Sequence, residues 1–147
     1  MHLVAKSIIP RLDARCSVEE RAFFWKMIGD YYRYASEASS SQASKEQRLG
    51  RFKKGALEGY SKAMELCSQG LKPYNQVVLG LALNFSVFHY EVMGDPVKAC
   101  EIAKRSLEEA FEVIDECAEE HFHEAQSILE LLKENMNIWA AEAGIDV

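Results

Sequence analysis

Arg33 and Tyr34 close the run Asp30-Tyr31-Tyr32-Arg33-Tyr34 and set a guanidinium fork beside a phenolic hydroxyl. That pair suits phosphate oxygens, through charge-assisted bonds from the Arg and one neutral donor from the Tyr. An Arg beside a Tyr also makes the cation–π contact common on protein surfaces, so the pair alone leaves both readings open. Two more polar residues sit in apolar stripes. Leu83, Asn84, Val87 and Glu91 fall at i, i+1, i+4 and i+8, one face of a helix. Ile128, Leu131, Asn135 and Trp139 fall at i, i+3, i+7 and i+11 on another. An Asn amide both donates to and accepts from an extended peptide backbone, although a core amide bonded internally has the same spacing.

The catalytic repertoire is thin. The chain holds no G-x-S-x-G, no P-loop and no H-E-x-x-H. His121 and His123 flank Phe122 among Glu119, Glu120 and Glu124. Residues two apart on a helix point in different directions, so this pair is poorly placed to chelate and reads as surface histidine. His89 lies on an apolar helix and reads as a satisfied interior histidine. Asn84-Phe85-Ser86 matches a glycosylation sequon, but mid-helix and without an export signal it is discounted. The expectation is a binding protein, not an enzyme, with no metal site and no cofactor.

Five helices with short links must position these groups. Ser17-Val18-Glu19-Glu20 is a capping box that starts the first, which runs to about Ala38. The serine-rich run 39–44 breaks it, because serines compete for backbone hydrogen bonds. Ser44-Lys45-Glu46-Gln47 offers a second capping box, and that helix runs to about Gln69 and stops at Gly70. The third helix, about 76–93, is apolar nearly all round and should be central. Gly94-Asp95-Pro96 reads as cap glycine, N-cap and first helical residue of the fourth, about 96–117. The fifth spans about 120–142. Short links imply antiparallel neighbours, and no strand signal is present. No period near 34 residues supports a tetratricopeptide-like array.

The 147 residues fit one domain, with 48% hydrophobic and 27% charged residues. A net charge of −6 argues against general nucleic-acid binding. It is unevenly spread: residues 1–72 hold 13 Lys+Arg against 8 Asp+Glu, and residues 73–147 hold 4 against 15. Such a division fits an anionic ligand nearer the first half, and equally fits solvated helix faces. Cys16, Cys67, Cys100 and Cys117 form no C-x-x-C pair, and the last three fall within expected helices. Reduced thiols in a cytoplasmic protein are expected, with no signal peptide and no membrane span.

Four stretches carry a resemblance. Lys26-Met27-Ile28-Gly29-Asp30-Tyr31-Tyr32-Arg33-Tyr34 and Leu79-Gly80-Leu81-Ala82-Leu83-Asn84-Phe85-Ser86-Val87-Phe88 resemble the two signature stretches of the 14-3-3 family. Pro96-Val97-Lys98-Ala99-Cys100 and Leu131-Leu132-Lys133-Glu134-Asn135 through Trp139 agree in order and spacing. The similarity runs from about Ile8 to Ala141.

It implies an all-α chain, an antiparallel five-helix array resembling the C-terminal part of the 14-3-3 fold. That makes one domain over 1–147, with 1–16 and 143–147 as tails. In that family nine helices form a cup, and dimers present paired grooves to phosphoserine or phosphothreonine segments of client proteins. Carried over, Arg33 and Tyr34 would contact phosphate, and Asn84 and Asn135 the ligand backbone, all facing one groove. Lys26, Glu91 and Trp139 would support them, and Leu83, Val87, Ile128 and Leu131 would form an apolar wall. The implied function is a phosphopeptide-binding adaptor regulating signalling clients, without nucleic acid or membrane partners. The alternative is a helical association scaffold that has lost phosphate recognition.

The match omits the family's first four helices, and with them two cationic pocket residues and the dimer surface. Ser127 replaces an apolar groove residue, and Ile28 stands where a Lys is common. Two lost charged hydrogen bonds, at about 1.5–3 kcal/mol each, predict affinity roughly two to four decades weaker. The helices through which the family forms homo- and heterodimers lie outside the match, which puts that dimerisation in doubt.

Overall fold

The structure is a computed structural model that describes residues 17–39 and 46–146. Among these the chain is all-α, with five helices: α1 (Val18–Ser39), α2 (Glu46–Cys67), α3 (Gln76–Glu91), α4 (Pro96–Val113) and α5 (Glu119–Ala143). A short 3-10 turn, Ile114–Glu116, follows α4. The expected second capping box, most of the serine-rich run, Cys16 and the first residues of the resemblance lie outside the described residues.

Most boundaries follow local chemistry. The Ser17 hydroxyl accepts from the Glu20 amide at 3.1 Å and donates to the Glu20 carboxylate at 3.2 Å, opening α1. The Asp95 carboxylate accepts from the Lys98 amide, with Pro96 at the start of α4. Three ends differ from expectation. Helix α2 stops at Cys67, and a turn over residues 68–70 leads to Gly70 at φ 127°. Helix α3 stops at Glu91, and the chain turns through Gly94 (φ 64°) so that the Asp95 amide reaches the His89 carbonyl at 2.8 Å. Helix α4 tightens into the 3-10 turn, which places Cys117 in the link and not in a helix. Terminal turns often tighten in this way to satisfy their last carbonyls, and apolar periodicity does not register the change.

The chain divides into two compact units, residues 1–71 and 72–147. In the first, α1 and α2 pack antiparallel: Trp25 and Gly29 meet Gly59, while Tyr32, further along α1, meets Gly55 and Phe52. The approach is closest at the glycines. A Cβ on Gly59 would stand 2.7 Å from the Gly29 backbone nitrogen, and one on Gly55 would stand 2.8 Å from the Tyr32 ring. Glycine inside a helix costs about 1 kcal/mol relative to Ala, and here the missing side chains let two backbones touch.

In the second unit α4 runs antiparallel to α3 and α5. Leu79 and Ala82 of α3, Ala103, Leu107 and Ala110 of α4, and Ala125, Leu129 and Leu132 of α5 form one buried cluster. Ala99, Cys100, Trp139 and Ala140 form a second, with Val87, Tyr90 and Ile145 against it. Alanine at the α4 contacts lets its neighbours close in. The apolar circumference expected of α3 is seen as burial on opposite sides, Leu79 and Ala82 on one and Leu81, Phe85 and Phe88 on the other. Helix α5 ends at Gly144 (φ 68°), whose left-handed turn lets the Ile145 amide bond the Ala140 carbonyl at 2.9 Å and brings Ile145 against the Trp139 cluster.

Asn75 opens α3 by accepting from the Val77 amide at 2.8 Å. Asn75→Ala leaves that donor without its partner, so unfolding free energy is expected to fall by about 1 kcal/mol. Urea denaturation checks it, and an unchanged midpoint would contradict the capping role.

Candidate functional site

Helix α1 sets Lys26, Asp30, Arg33 and Glu37 along one face at i, i+4, i+7 and i+11. Successive members of that series are helix-surface neighbours. Lys26 Nζ bonds the Asp30 carboxylate at 2.9 Å, with both side chains 15% exposed. Arg33 is buried, and its Nε donates to the Tyr60 hydroxyl at 3.0 Å. That hydroxyl in turn donates to Asp30 Oδ1 at 2.5 Å. The Arg33 terminal nitrogens stand 3.8 Å from Asp30 and 3.6 Å from Glu37, longer than hydrogen bonds. The Tyr34 ring lies 4.6 Å from the guanidinium carbon and remains exposed. The cation–π contact is therefore present, and it accompanies a buried polar relay.

Electrostatics follow from this geometry. Burial opposes the Arg33 charge, but the Tyr60 hydroxyl, Asp30 and Tyr34 outweigh it and hold its pKa above the ordinary value. Burial first, then the bond to Asp30, pushes the Tyr60 phenol far above its usual range, so it stays protonated and keeps donating. The Arg33 guanidinium thus has one phenol fixed at its Nε, the Tyr34 ring 4.6 Å away, and the carboxylates of Asp30 and Glu37 within 4 Å.

The remaining sequence-derived site residues lie in the second unit. Asn84 on α3 and Asn135 on α5 are both half-buried. Leu83 and Ile128 pack at the margin of the first cluster, and Val87 at the margin of the second. Trp139 is buried and stacks on Tyr90 at 5.1 Å, while the Tyr90 hydroxyl bonds Glu142. Leu131 and Glu91 are exposed. Ser127 returns its hydroxyl to the His123 carbonyl at 3.1 Å, a local bond that occupies this polar replacement.

Sequence reasoning missed Asp30, Glu37 and Tyr60. The first two were detectable as carboxylates within one helical turn of Lys26 or Arg33. Tyr60 lies 27 residues from Arg33, and nothing in local spacing signals the contact.

His89 departs from expectation. It is buried between the rings of Phe85 (4.8 Å) and Phe88 (5.3 Å), yet its Nε2 has no hydrogen-bond partner. Burial first, then Lys98, lowers its pKa against the opposing pull of Asp95. The folded state thus takes up this proton less readily than the unfolded chain. The contribution to stability is fully present above the unfolded value near 6.5 and declines as pH falls toward the lower folded value. His89→Gln is expected to flatten the decline in melting temperature below about pH 6.5. A variant with the wild-type profile would contradict the assignment.

Cys67, Cys100 and Cys117 are free thiols. Burial lifts the first to about 11 and raises the second, so both stay as unreactive thiols at neutral pH. Among the described residues no helix is long and apolar enough to cross a membrane.

Among the described residues the protein is all-α, with a buried Arg beside two phenols in one unit and two half-buried amides on apolar helix faces in the other. The 14-3-3 protein family model matches residues 1–140. The chain is 39% identical over 142 residues to the 14-3-3-like protein GF14 epsilon of Arabidopsis thaliana, covering 97% of this chain and 53% of that protein. It is 38% identical over 146 residues to the 14-3-3 protein of Giardia intestinalis, at 99% and 55% coverage. Against the checkpoint signal transducer rad24 of Schizosaccharomyces pombe the values are 38% over 144 residues, 96% and 49%. The chain belongs to the 14-3-3 family, and it spans about half the length of the curated relatives it matches.

Proposed function

We propose that this chain is a phosphoserine- or phosphothreonine-peptide-binding adaptor in signalling. Arg33 and Tyr34 take the phosphate, and Asn84 and Asn135 take the ligand backbone. Lys26, Glu91 and Trp139 support them, and Leu83, Val87, Ile128 and Leu131 supply apolar contact. The observation that carries this reading is the Arg33 guanidinium, tied by its Nε to Tyr60 and lying beside the exposed Tyr34 phenol in a chain of this family. A guanidinium held in place loses little freedom when it meets a phosphate, which favours recognition. The test is titration of a phosphoserine peptide against its unphosphorylated twin by calorimetry. Phosphate-dependent binding at micromolar to millimolar levels is expected; equal binding, or none at millimolar levels, overturns the reading.

One observation favours an association scaffold as the second reading. Phe23, Met27, Tyr31 and Tyr34 are all exposed, at i, i+4, i+8 and i+11 of α1. This stripe lies on the side turned away from the α2-contacting residues Gly29 and Tyr32. Aligned apolar side chains of this size commonly mark contact with other protein. Sedimentation separates the readings: a clean monomer that binds no apolar dye counts against the scaffold.

A further inference from the structure

We infer that Tyr60 is a positioning residue of the phosphate site, setting the guanidinium of Arg33 through a directional relay that begins at Asp30. This rests on the proposed phosphate-binding reading and names the residue on which its cation depends. The relay has a fixed polarity. Asp30 accepts from the Tyr60 hydroxyl at 2.5 Å, which fixes the hydroxyl rotor. The oxygen then presents a lone pair to Arg33 Nε at 3.0 Å. An Arg held at Nε directs its terminal nitrogens as a fork, the geometry that a phosphate accepts, in competition with the carboxylates already beside them. The neighbouring carboxylates of Asp30 and Glu37 stand at ion-pair distances from those nitrogens.

Packing also holds the hydroxyl in place. Tyr60 is fully buried, and its ring covers Gly29 so closely that a Cβ there would stand 2.6 Å from it. One turn of α1 therefore supplies the seat for the ring (Gly29), the acceptor for its hydroxyl (Asp30) and the cation it orients (Arg33). Tyr60 itself comes from α2. The α1–α2 packing thus enters phosphate affinity directly, because a shift of the ring moves the hydrogen-bond acceptor under Arg33.

Tyr60→Phe separates positioning from support, since it keeps the ring and removes one oxygen. Two readouts apply to the full chain. The first is the Arg33 Nε–H resonance in protein labelled with 15N-arginine, assigned by its loss in Arg33→Lys; it reports the relay without any ligand. The second is affinity for a phosphoserine peptide and for its unphosphorylated twin. Wild type is expected to show an exchange-protected Nε–H and a preference for the phosphorylated peptide. Tyr60→Phe is expected to lose that protection and to bind the phosphopeptide about tenfold more weakly, with the twin unaffected. A wild type that prefers phosphopeptide beside a Tyr60→Phe variant of equal affinity or retained protection overturns the positioning role alone. A wild type without phosphate preference overturns both this inference and the function it rests on. If Tyr60→Phe fails to fold, Asp30→Asn keeps the phenol and removes the charge that fixes its rotor. The same loss of protection and affinity is then expected, and wild-type behaviour overturns the relay.

Discussion

Replacing Gly59 by Val is expected to unfold the α1–α2 unit or to lower its stability by about 3 kcal/mol or more, while Gly50→Ala in the same helix raises it. A Cβ at Gly59 meets backbone and not a flexible side chain: 2.7 Å from the Gly29 nitrogen and 3.0 Å from the Trp25 carbonyl oxygen. Backbone in the middle of a helix cannot step aside, so relief requires separating α1 from α2 along the contact. Overpacking in a close-packed interior costs about 1–3 kcal/mol even where side chains can adjust, and a β-branched residue adds two methyl groups beyond the Cβ. At Gly50 nothing lies within 4 Å of the added Cβ. There only helix propensity acts, favouring Ala over Gly by about 1 kcal/mol. Circular dichroism through a thermal ramp reads both, and opposite signs at two glycines of one helix are the signature. A Gly59→Val variant as stable as wild type would show that the two backbones do not touch.

Arg33→Ala is expected to abolish the difference between a phosphorylated peptide and its twin, the largest effect on binding available from one substitution. The variant removes a buried cation, and each charged hydrogen bond contributes about 1.5–3 kcal/mol, which corresponds to roughly ten- to hundredfold in affinity. Arg33→Lys keeps the charge but gives up the planar fork and the Nε bond to Tyr60, and it is expected to recover only part of the loss. Asn135→Ala supplies the contrast: if its amide holds ligand backbone, both peptides weaken together and their ratio persists. Calorimetric titration of the peptide pair against the three variants checks all of this. Retained discrimination in Arg33→Ala would remove Arg33 from the phosphate site.

The all-α class was legible because its signals are local. Ser17 and Asp95 with Pro96 mark helix starts by chemistry confined to a few residues, and the structure places caps there, while Gly94 takes the left-handed turn but three residues past the end of α3. The errors were local too. Gly70 drew the end of α2 too far, since a glycine that takes a left-handed turn can follow the last helical residue at some distance. The 3-10 tightening after Val113 carries no compositional mark. Family membership was equally legible, because the stretches around Arg33 and Asn84 are specific strings that the family model and the curated relatives match.

The sequence by itself determined which residues are available and which helix each rides on: Arg33 and Tyr34 on the first, Asn84 on the third, Asn135 on the fifth. Periodicity and capping settle such questions because they act over one or two turns. Only the tertiary structure decided what surrounds them. It put the Tyr60 hydroxyl under Arg33, seated the Tyr60 ring on Gly29, and left His89 buried without a partner at Nε2. Contacts between helices depend on which faces meet and how closely, and at Gly29 and Gly59 that distance is set by atoms the residues lack.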